Sequence, residues 1–314
     1  MASYTQLDRD DIQQIADNYK LSVTDFEQIK GGNANSSFLL RTEQGKYVLT
    51  VCDDKTRDAV ENMGQLLLLL QEHDFPSTRI MTLNGGDIIT AFQGHTIMMK
   101  AYIEGEVLEN LDATMLNQVG AALATLHQIP APSYLPSNYI GEHSVYARVK
   151  GCNIDIKYET WLHEKIACLE KNIPPSIPRA LIHGDLFFDN VLFEKNSFQA
   201  IIDFEDATHY YAAYDLGMAI IGCCATSETI DLDKSRALVQ GYQQLRSLLQ
   251  DEKESLQLFV RYAATITSCW RFCKYNIDSV YATRADLHWQ MVELEEAIDK
   301  IPKAEFLQAI FSAE

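Results

Sequence analysis

The stretch from Leu181 to Asp206 constrains the fold more than any other part of the chain. Short apolar runs there flank polar turns, Leu181-Ile182-His183-Gly184-Asp185-Leu186-Phe187-Phe188-Asp189-Asn190-Val191-Leu192-Phe193 and then Ala200-Ile201-Ile202-Asp203-Phe204-Glu205-Asp206. Apolar runs this short, bounded by turn residues, read as β-strands. They are the one β interruption in a region whose other apolar residues recur at helical spacing. Helices are expected over about 112–128, 155–171, 213–224, 231–249, 252–276 and 284–311.

The first third reads differently. Strands are expected at 26–30, 37–41 and 47–51, the last after the turn Glu43-Gln44-Gly45. A helix follows from 56 to 73, with Ala59, Met63, Leu66, Leu67 and Leu70 on one face and Pro76 beyond its end. A second hairpin-like pair, 87–92 and 95–102, turns at Gln93-Gly94. The expected fold class is α+β in two lobes, a small β-rich N-lobe over 1–103 and a larger, mainly helical C-lobe over 104–314. A ligand held in the cleft between lobes suits that layout.

Composition narrows the function. With 314 residues, 47% of them hydrophobic, the chain carries a large core. A net charge of −18 argues against nucleic acid, whose phosphates recruit clustered Lys and Arg. It also requires any nucleotide site to rely on metal ions and backbone amides, and it favours a cationic or zwitterionic substrate as readily as simple solubility. Seven cysteines without a CxxC pair, and no basic or apolar leader in Met1-Ala2-Ser3-Tyr4-Thr5-Gln6, lead to the expectation of a cytoplasmic protein with reduced thiols. The leucine run 66–70 is far short of a membrane span. No membrane partner is expected, and the chain is read as a monomer or homodimer.

The polar residues of the 181–206 stretch each suit phosphoryl transfer. Asp185 can accept a hydroxyl proton and orient the nucleophile. Asn190, five residues on, and Asp203, on a neighbouring strand, offer the hard oxygen ligands that Mg²⁺ prefers. Here the chain resembles the aminoglycoside phosphotransferase/choline kinase superfamily, relatives of protein kinases. The pattern is HGDxxxxN, an IDFE whose Asp203 lies thirteen residues past Asn190, and then Tyr214-Asp215-Leu216-Gly217. The resemblance implies an ATP- and Mg²⁺-dependent kinase with Asp185 as catalytic base and Asn190 and Asp203 as metal ligands. It makes His183 a structural histidine and Asp215 the buttress of the catalytic loop.

Within that superfamily the chain is similar to the homoserine kinases from about Phe26 to Phe272. Gly31-Gly32-Asn33-Ala34-Asn35-Ser36-Ser37-Phe38 resembles their glycine turn, and Tyr47-Val48-Leu49-Thr50-Val51 their third strand. The resemblance implies nucleotide contacts from Gly31, Gly32, Asn35, Ser36, Thr50, Lys100 and Tyr102, with backbone amides cradling phosphate oxygens. The segment 120–127 resembles the helix after their hinge, and His127 reads as a packed residue at its end.

There are departures. Thr50 stands where many kinases carry a phosphate-binding lysine, so Glu61 on the following helix has no lysine to orient. Lys46 and Lys55 flank the strand, as alternative cations or as solvent-facing residues. Phe188 replaces a common proline, and Thr265-Ile266-Thr267-Ser268-Cys269-Trp270-Arg271-Phe272 matches an Arg-Phe-Trp-rich stretch only in part.

The acceptor is expected to be a small hydroxylated metabolite, homoserine first. Arg271 is the candidate partner for its carboxylate and Asp189 and Glu205 for its ammonium. Trp270 and Tyr210 either border the acceptor or pack. Choline, ethanolamine or an aminoglycoside is the alternative acceptor, and a nucleotide-binding pseudokinase the alternative of another class. Replacing the base by Asp185→Asn is expected to cost about 10²–10⁴ in kcat while Mg·ATP binding persists. Steady-state turnover and nucleotide titration check this, and a variant keeping half of the parent kcat removes Asp185 from the role.

Overall fold

The computed structural model describes residues 5–29, 35–53, 55–83, 85–137, 146–278 and 283–312. The fold is α+β and kinase-like, and the chain divides into two compact units. The first joins Met1–Gly105 to Gln199–Glu205, and the second joins Glu106–Phe198 to Asp206–Glu314.

The first unit opens with α1 (Arg9–Asp17), which the apolar pattern did not reveal because only Ile12, Ile15 and Ala16 face inward. Its local signal is a capping box. Asp8 accepts from the Asp10 and Asp11 amides, and Asp11 accepts from the Asp8 amide. Next come β1 (Val23–Ile29), β2 (Ser36–Thr42), β3 (Gly45–Cys52), α2 (Arg57–Glu72), β4 (Thr90–Phe92) and β5 (His95–Ala101). The five strands form one antiparallel sheet in the order β1-β2-β3-β5-β4.

Alternation then sorts the two faces of the sheet. Phe38 and Leu40, Leu49 and Val51, and Ile97 and Met99 point to one face, where they pack with Ile12, Ile15 and Ala16 of α1. The opposite face receives Ser37, paired with Thr50, and Thr50 in turn paired with Met98. Cys52 opposite Thr96 and Val48 opposite Lys100 share that face.

The chain returns to this unit through 199–205. Ile201 N–H donates to Pro76 O at 3.0 Å, Ser77 bridges to Ile201, and the Phe204 ring meets Phe75 edge-on with centroids 6.1 Å apart.

In the second unit α3 (Ala113–Leu126) is followed by α4 (Tyr146–Val149), α5 (Ile156–Lys171), β6 (Arg179–Ile182), β7 (Val191–Glu194), β8 (Ser197–Ile201, whose residues 199–201 belong to the first unit), β9 (Thr208–Tyr211) and α6 (Ala212–Cys223). The β interruption thus holds four strands. β6 pairs antiparallel with β9, and β7 and β8 form a hairpin. The chain ends with α7 (Leu232–Leu245), α8 (Gln250–Phe272), α9 (Leu287–Asp299) and α10 (Lys303–Phe311).

Two expected helices are corrected. The 284–311 helix is two, because Pro302 has no N–H to donate and disfavours helical backbone at Ile301. The 252–276 helix is α-helical from Gln250 to Phe272 and then becomes a π-helical turn, Cys273–Asp278.

Every residue of α6 is buried, so it is the central helix of this unit, with α8 packed on it. Its end meets the turn after β6. A Cβ at Gly222 would lie 2.3 Å from Leu186 O and 2.7 Å from Phe187 Cα, so only glycine permits this approach. Gly222→Ala is therefore expected to destabilise by about 1–3 kcal/mol, as overpacking does. Denaturant unfolding checks it, and parental stability would mean that the turn yields freely.

Candidate active site

The turn between β6 and β7 gathers the polar residues that the sequence singled out. β6 delivers His183, fully buried, and Gly184 then takes φ +86°, a left-handed conformation that suits glycine. Asp185 follows, and a 3-10 turn, Phe188–Asn190, leads into β7. Asp185 O accepts from Phe187 N–H at 3.0 Å and from Asn190 Nδ2 at 2.8 Å. The second bond uses the nitrogen end of the Asn190 amide. Asp189 is exposed on the same turn.

The turn is fixed from below by Asp215 on α6, which is 0% exposed. Its Oδ2 accepts from His183 N–H and its Oδ1 from Gly184 N–H, both at 2.8 Å. His127, at the end of α3, places Nε2 3.0 Å from Asp215 Oδ2 and Nδ1 2.6 Å from the Tyr242 hydroxyl. Arg246 donates to that hydroxyl at 3.0 Å and to Glu252 at 2.9 Å. Arg246, Tyr242, His127 and Asp215 form one connected chain of hydrogen bonds. His127 is thus a support of the loop as well as a packed helix end. Asp185 N–H donates to His183 Nδ1 at 3.2 Å, which leaves the ring proton on Nε2.

On α8, Arg271 is half-buried and donates to Leu287 O at 3.3 Å and Gln290 Oε1 at 3.2 Å. Burial pulls its pKa down, while Tyr275 and the Asp185 carboxylate oppose that, so Arg271 lies in the field of Asp185. Trp270 is 42% exposed beside Tyr275. Tyr210 is buried, its ring against Tyr211, Tyr214 and the Arg179 guanidinium, so the strand β9 uses it for packing.

The first unit holds the remaining candidates. Asp203 is exposed and adopts φ +66°, a conformation that few residues other than glycine take and that recurs at functional positions. Ser36 is buried, and its N–H and Oγ both donate to Asp53 Oδ2, at 3.1 and 2.6 Å. Thr50 is 2% exposed, with Oγ1 lacking a hydrogen-bond partner among the described residues. Lys100 is half-buried on β5, and Tyr102 lies under the Lys46 ammonium, 5.3 Å from the ring centroid. Glu61 is exposed on α2. Gly31 and Gly32 lie outside the described residues.

Glu205 needs correction. It was expected on the ammonium side of the acceptor, yet both its oxygens are engaged. Oε2 pairs with Lys55 Nζ at 2.7 Å and Oε1 accepts from Asn35 Nδ2 at 2.6 Å. Lys55 is accordingly an ion-pair member rather than a solvent-facing lysine. No local signal announces a pair this distant in sequence.

The residues suit a nucleotide carrying Mg²⁺. Thr50 Oγ1 and Asn35 Oδ1 are both buried without partners among the described residues, which a polar ligand would relieve. Asn190, in the second unit, and Asp203, in the first, each carry the hard oxygen that Mg²⁺ prefers.

This is the equipment of a kinase-like phosphotransferase. The profile of the phosphotransferase enzyme family matches residues 25–248, most of the chain, and the protein belongs to that family. It is 27% identical over 273 residues to the homoserine kinase of Bartonella tribocorum, covering 84% of this chain and 86% of that one. Two solved structures share its fold. One is a microcompartment-associated aminopropanol kinase (TM-score 0.71, 16% identity, 96% of this chain and 100% of that one). The other is an amicoumacin kinase in complex with AMP-PNP and Ca²⁺ (TM-score 0.71, 13% identity, 95% of each). The chain is an ATP-dependent kinase that phosphorylates a hydroxyl group of a small molecule. Among the described residues no helix is long and apolar enough to cross a membrane.

The support under the loop is testable through its pH dependence. Burial alone would raise the Asp215 pKa, but the His127 hydrogen bond, the electrostatic pull of His127 and His183 and the Gly184 N–H outweigh it. The carboxyl lies below its ordinary 3.8. A depressed acid contributes stability that is present above the unfolded pKa and lost as pH falls through the folded one. Asp215→Asn is expected to lose about 3–5 kcal/mol at neutral pH, and to show a smaller further loss on acidification than the parent. Urea unfolding across the acid range measures both, and parallel curves of equal height would remove Asp215 from this role.

Proposed function

We propose that the chain is a Mg²⁺-dependent kinase whose acceptor is homoserine, with Asp185 as base and Asn190 and Asp203 as metal ligands. The observation that carries the acceptor is Arg271. A half-buried guanidinium on α8, in the electrostatic field of Asp185, offers two parallel donors to a carboxylate. A choline-type acceptor has no carboxylate to satisfy that cation and calls for aromatic rings and acids instead. The exposed Asp189, on the same turn as Asp185, is the partner for the acceptor's ammonium group. The homology to homoserine kinases supports the same reading.

The chemistry follows from the turn. Asp185 accepts the hydroxyl proton as the acceptor oxygen bonds to the γ-phosphorus and the bond to the β,γ-bridging oxygen breaks, releasing ADP. Bound Mg²⁺ supplies neutralisation of the phosphate charge. The contribution of the protein is position: Asp215 holds the backbone at His183 and Gly184, and Asn190 braces Asp185 from its other side.

A coupled assay for ADP release across homoserine, choline, ethanolamine and an aminoglycoside tests the proposal. Homoserine is expected to stimulate turnover, with choline neither a substrate nor a competitor. Arg271→Ala is expected to raise KM for homoserine roughly 10- to 100-fold, the scale of a lost charge-assisted pair. Arg271→Lys should recover part of that loss. Turnover with another acceptor in place of homoserine overturns the acceptor. No stimulation by any acceptor favours a nucleotide-binding pseudokinase.

A further inference from the structure

The neutral Thr50 leaves unanswered which cation meets the phosphate tail of the nucleotide. Kinases of the protein-kinase type place a lysine on the third strand and orient it by a glutamate from the following helix. Here the strand residue is Thr50, and Glu61 of α2 is exposed.

The first unit nevertheless contains a lysine–glutamate pair just past β3. Lys55 lies three residues past β3, and its ammonium is 2.7 Å from Glu205 Oε2, with the two side chains only 23% and 24% exposed. Asn35, just before β2, donates to the other oxygen of Glu205 at 2.6 Å. The carboxylate is thereby held between an amide and an ammonium. Its backbone is fixed as well, since it belongs to the 199–205 segment that Pro76, Ser77 and Phe75 tie to this unit.

Cys52 reports the surroundings. It shares the Thr50 face of the sheet, and burial pushes its thiol up to about 11, with Lys100 and Lys55 pulling it down and Glu205 and Asp53 pushing it up. Lys55 thus acts electrostatically on the face that carries Thr50, whose Oγ1, like Asn35 Oδ1, is buried without a partner among the described residues. Lys46, the lysine at the other end of the strand, pairs instead with exposed Glu104 at 2.7 Å.

We propose that Lys55, oriented by Glu205 and Asn35, is the cation that binds the terminal phosphates of ATP in place of a strand lysine. The orienting acid then comes from the Asp203-Phe204-Glu205 segment rather than from the helix. Glu205 is two residues from Asp203, so the lysine and the proposed metal ligand are set by one short piece of backbone. An ion pair retains the lysine in an acidic chain while leaving its remaining N–H donors for phosphate oxygens. The inference rests on the reading of the chain as an ATP-binding kinase.

The test measures binding rather than turnover. Titration with a fluorescent ATP analogue, with and without Mg²⁺, gives the nucleotide affinity, and competition with adenosine isolates the part of the ligand that has no phosphates. Lys55→Met is expected to weaken the ATP analogue roughly 10- to 100-fold, the scale of one charge-assisted hydrogen bond, while adenosine binds as in the parent. Lys55→Arg should restore most of the loss. Glu205→Gln should produce a smaller loss of the same phosphate-specific kind, because Lys55 keeps its charge and loses its orientation.

Equal loss of ATP and adenosine affinity in Lys55→Met would reduce Lys55 to a structural residue and overturn the proposal. Parental ATP affinity in that variant would overturn it as well. So would a phosphate-specific loss that appears in Lys100→Met and not in Lys55→Met. A parent protein that fails to bind ATP at all overturns the kinase reading itself, which separates the two failures.

Discussion

One buried carboxylate holds the turn that carries Asp185 in place. Asp215 sits in a helix with no exposed residue, where a lone charge would be expensive, and it is stable there because every nearby group donates to it. The backbone at His183 and Gly184 needs acceptors at a point where the strand β6 has ended and the left-handed glycine has turned the chain away from β9. Asp215 provides both. It also draws in His127, Tyr242 and Arg246, so the turn is braced by α3, α6 and α7 together. The geometry of Asp185 is a consequence of that bracing.

The first unit solves a different problem with the same economy of groups. One face of its sheet is given to apolar packing with α1, and the alternation of the strands then commits the other face to Thr50, Cys52 and Lys100. The Thr50 hydroxyl and the Asn35 amide oxygen are buried without partners among the described residues, and a polar ligand would complete their hydrogen bonding. Such a site draws little from net charge in a chain at −18. It depends on a few cations held at defined positions, and an ion pair is the means of holding one.

Much of this was legible in the sequence, for identifiable reasons. The β-to-helix change of period, the strands β1 to β3 and the helices α2, α3 and α5 follow from local apolar spacing and from caps such as Thr56, Asp112 and Asp155. Asp185, Asn190, Asp203 and Asp215 stand in contiguous motifs and were singled out together. What escaped was non-local or weakly apolar. α1 carries too few inward residues to announce itself, and β9 is four residues long, its aromatic residues open to reading as ligand-binding groups. Glu205 and Lys55 are 150 positions apart, and no spacing rule relates them. His127 looked like packing because its partners, on α6 and α7, come close only through tertiary structure. Pro302, by contrast, was in plain view, and its break in the last helix follows from the missing N–H.

The return of residues 199–205 to the first unit has a consequence for the order of events during synthesis. The sheet and its α1 core are encoded before residue 105, yet the carboxylate that Lys55 and Asn35 require is not made until roughly 100 residues later. At ribosomal rates of about 5–20 residues per second, the amino-terminal unit waits some 5–20 seconds with a buried-side lysine lacking its counter-charge. The contacts of Phe75, Pro76 and Ser77 with Ile201 and Phe204 likewise await that segment. Cutting the gene after residue 105 would therefore leave the first fragment without the seven-residue segment 199–205. A split that respects the structure would have to carry that segment back to the amino-terminal piece.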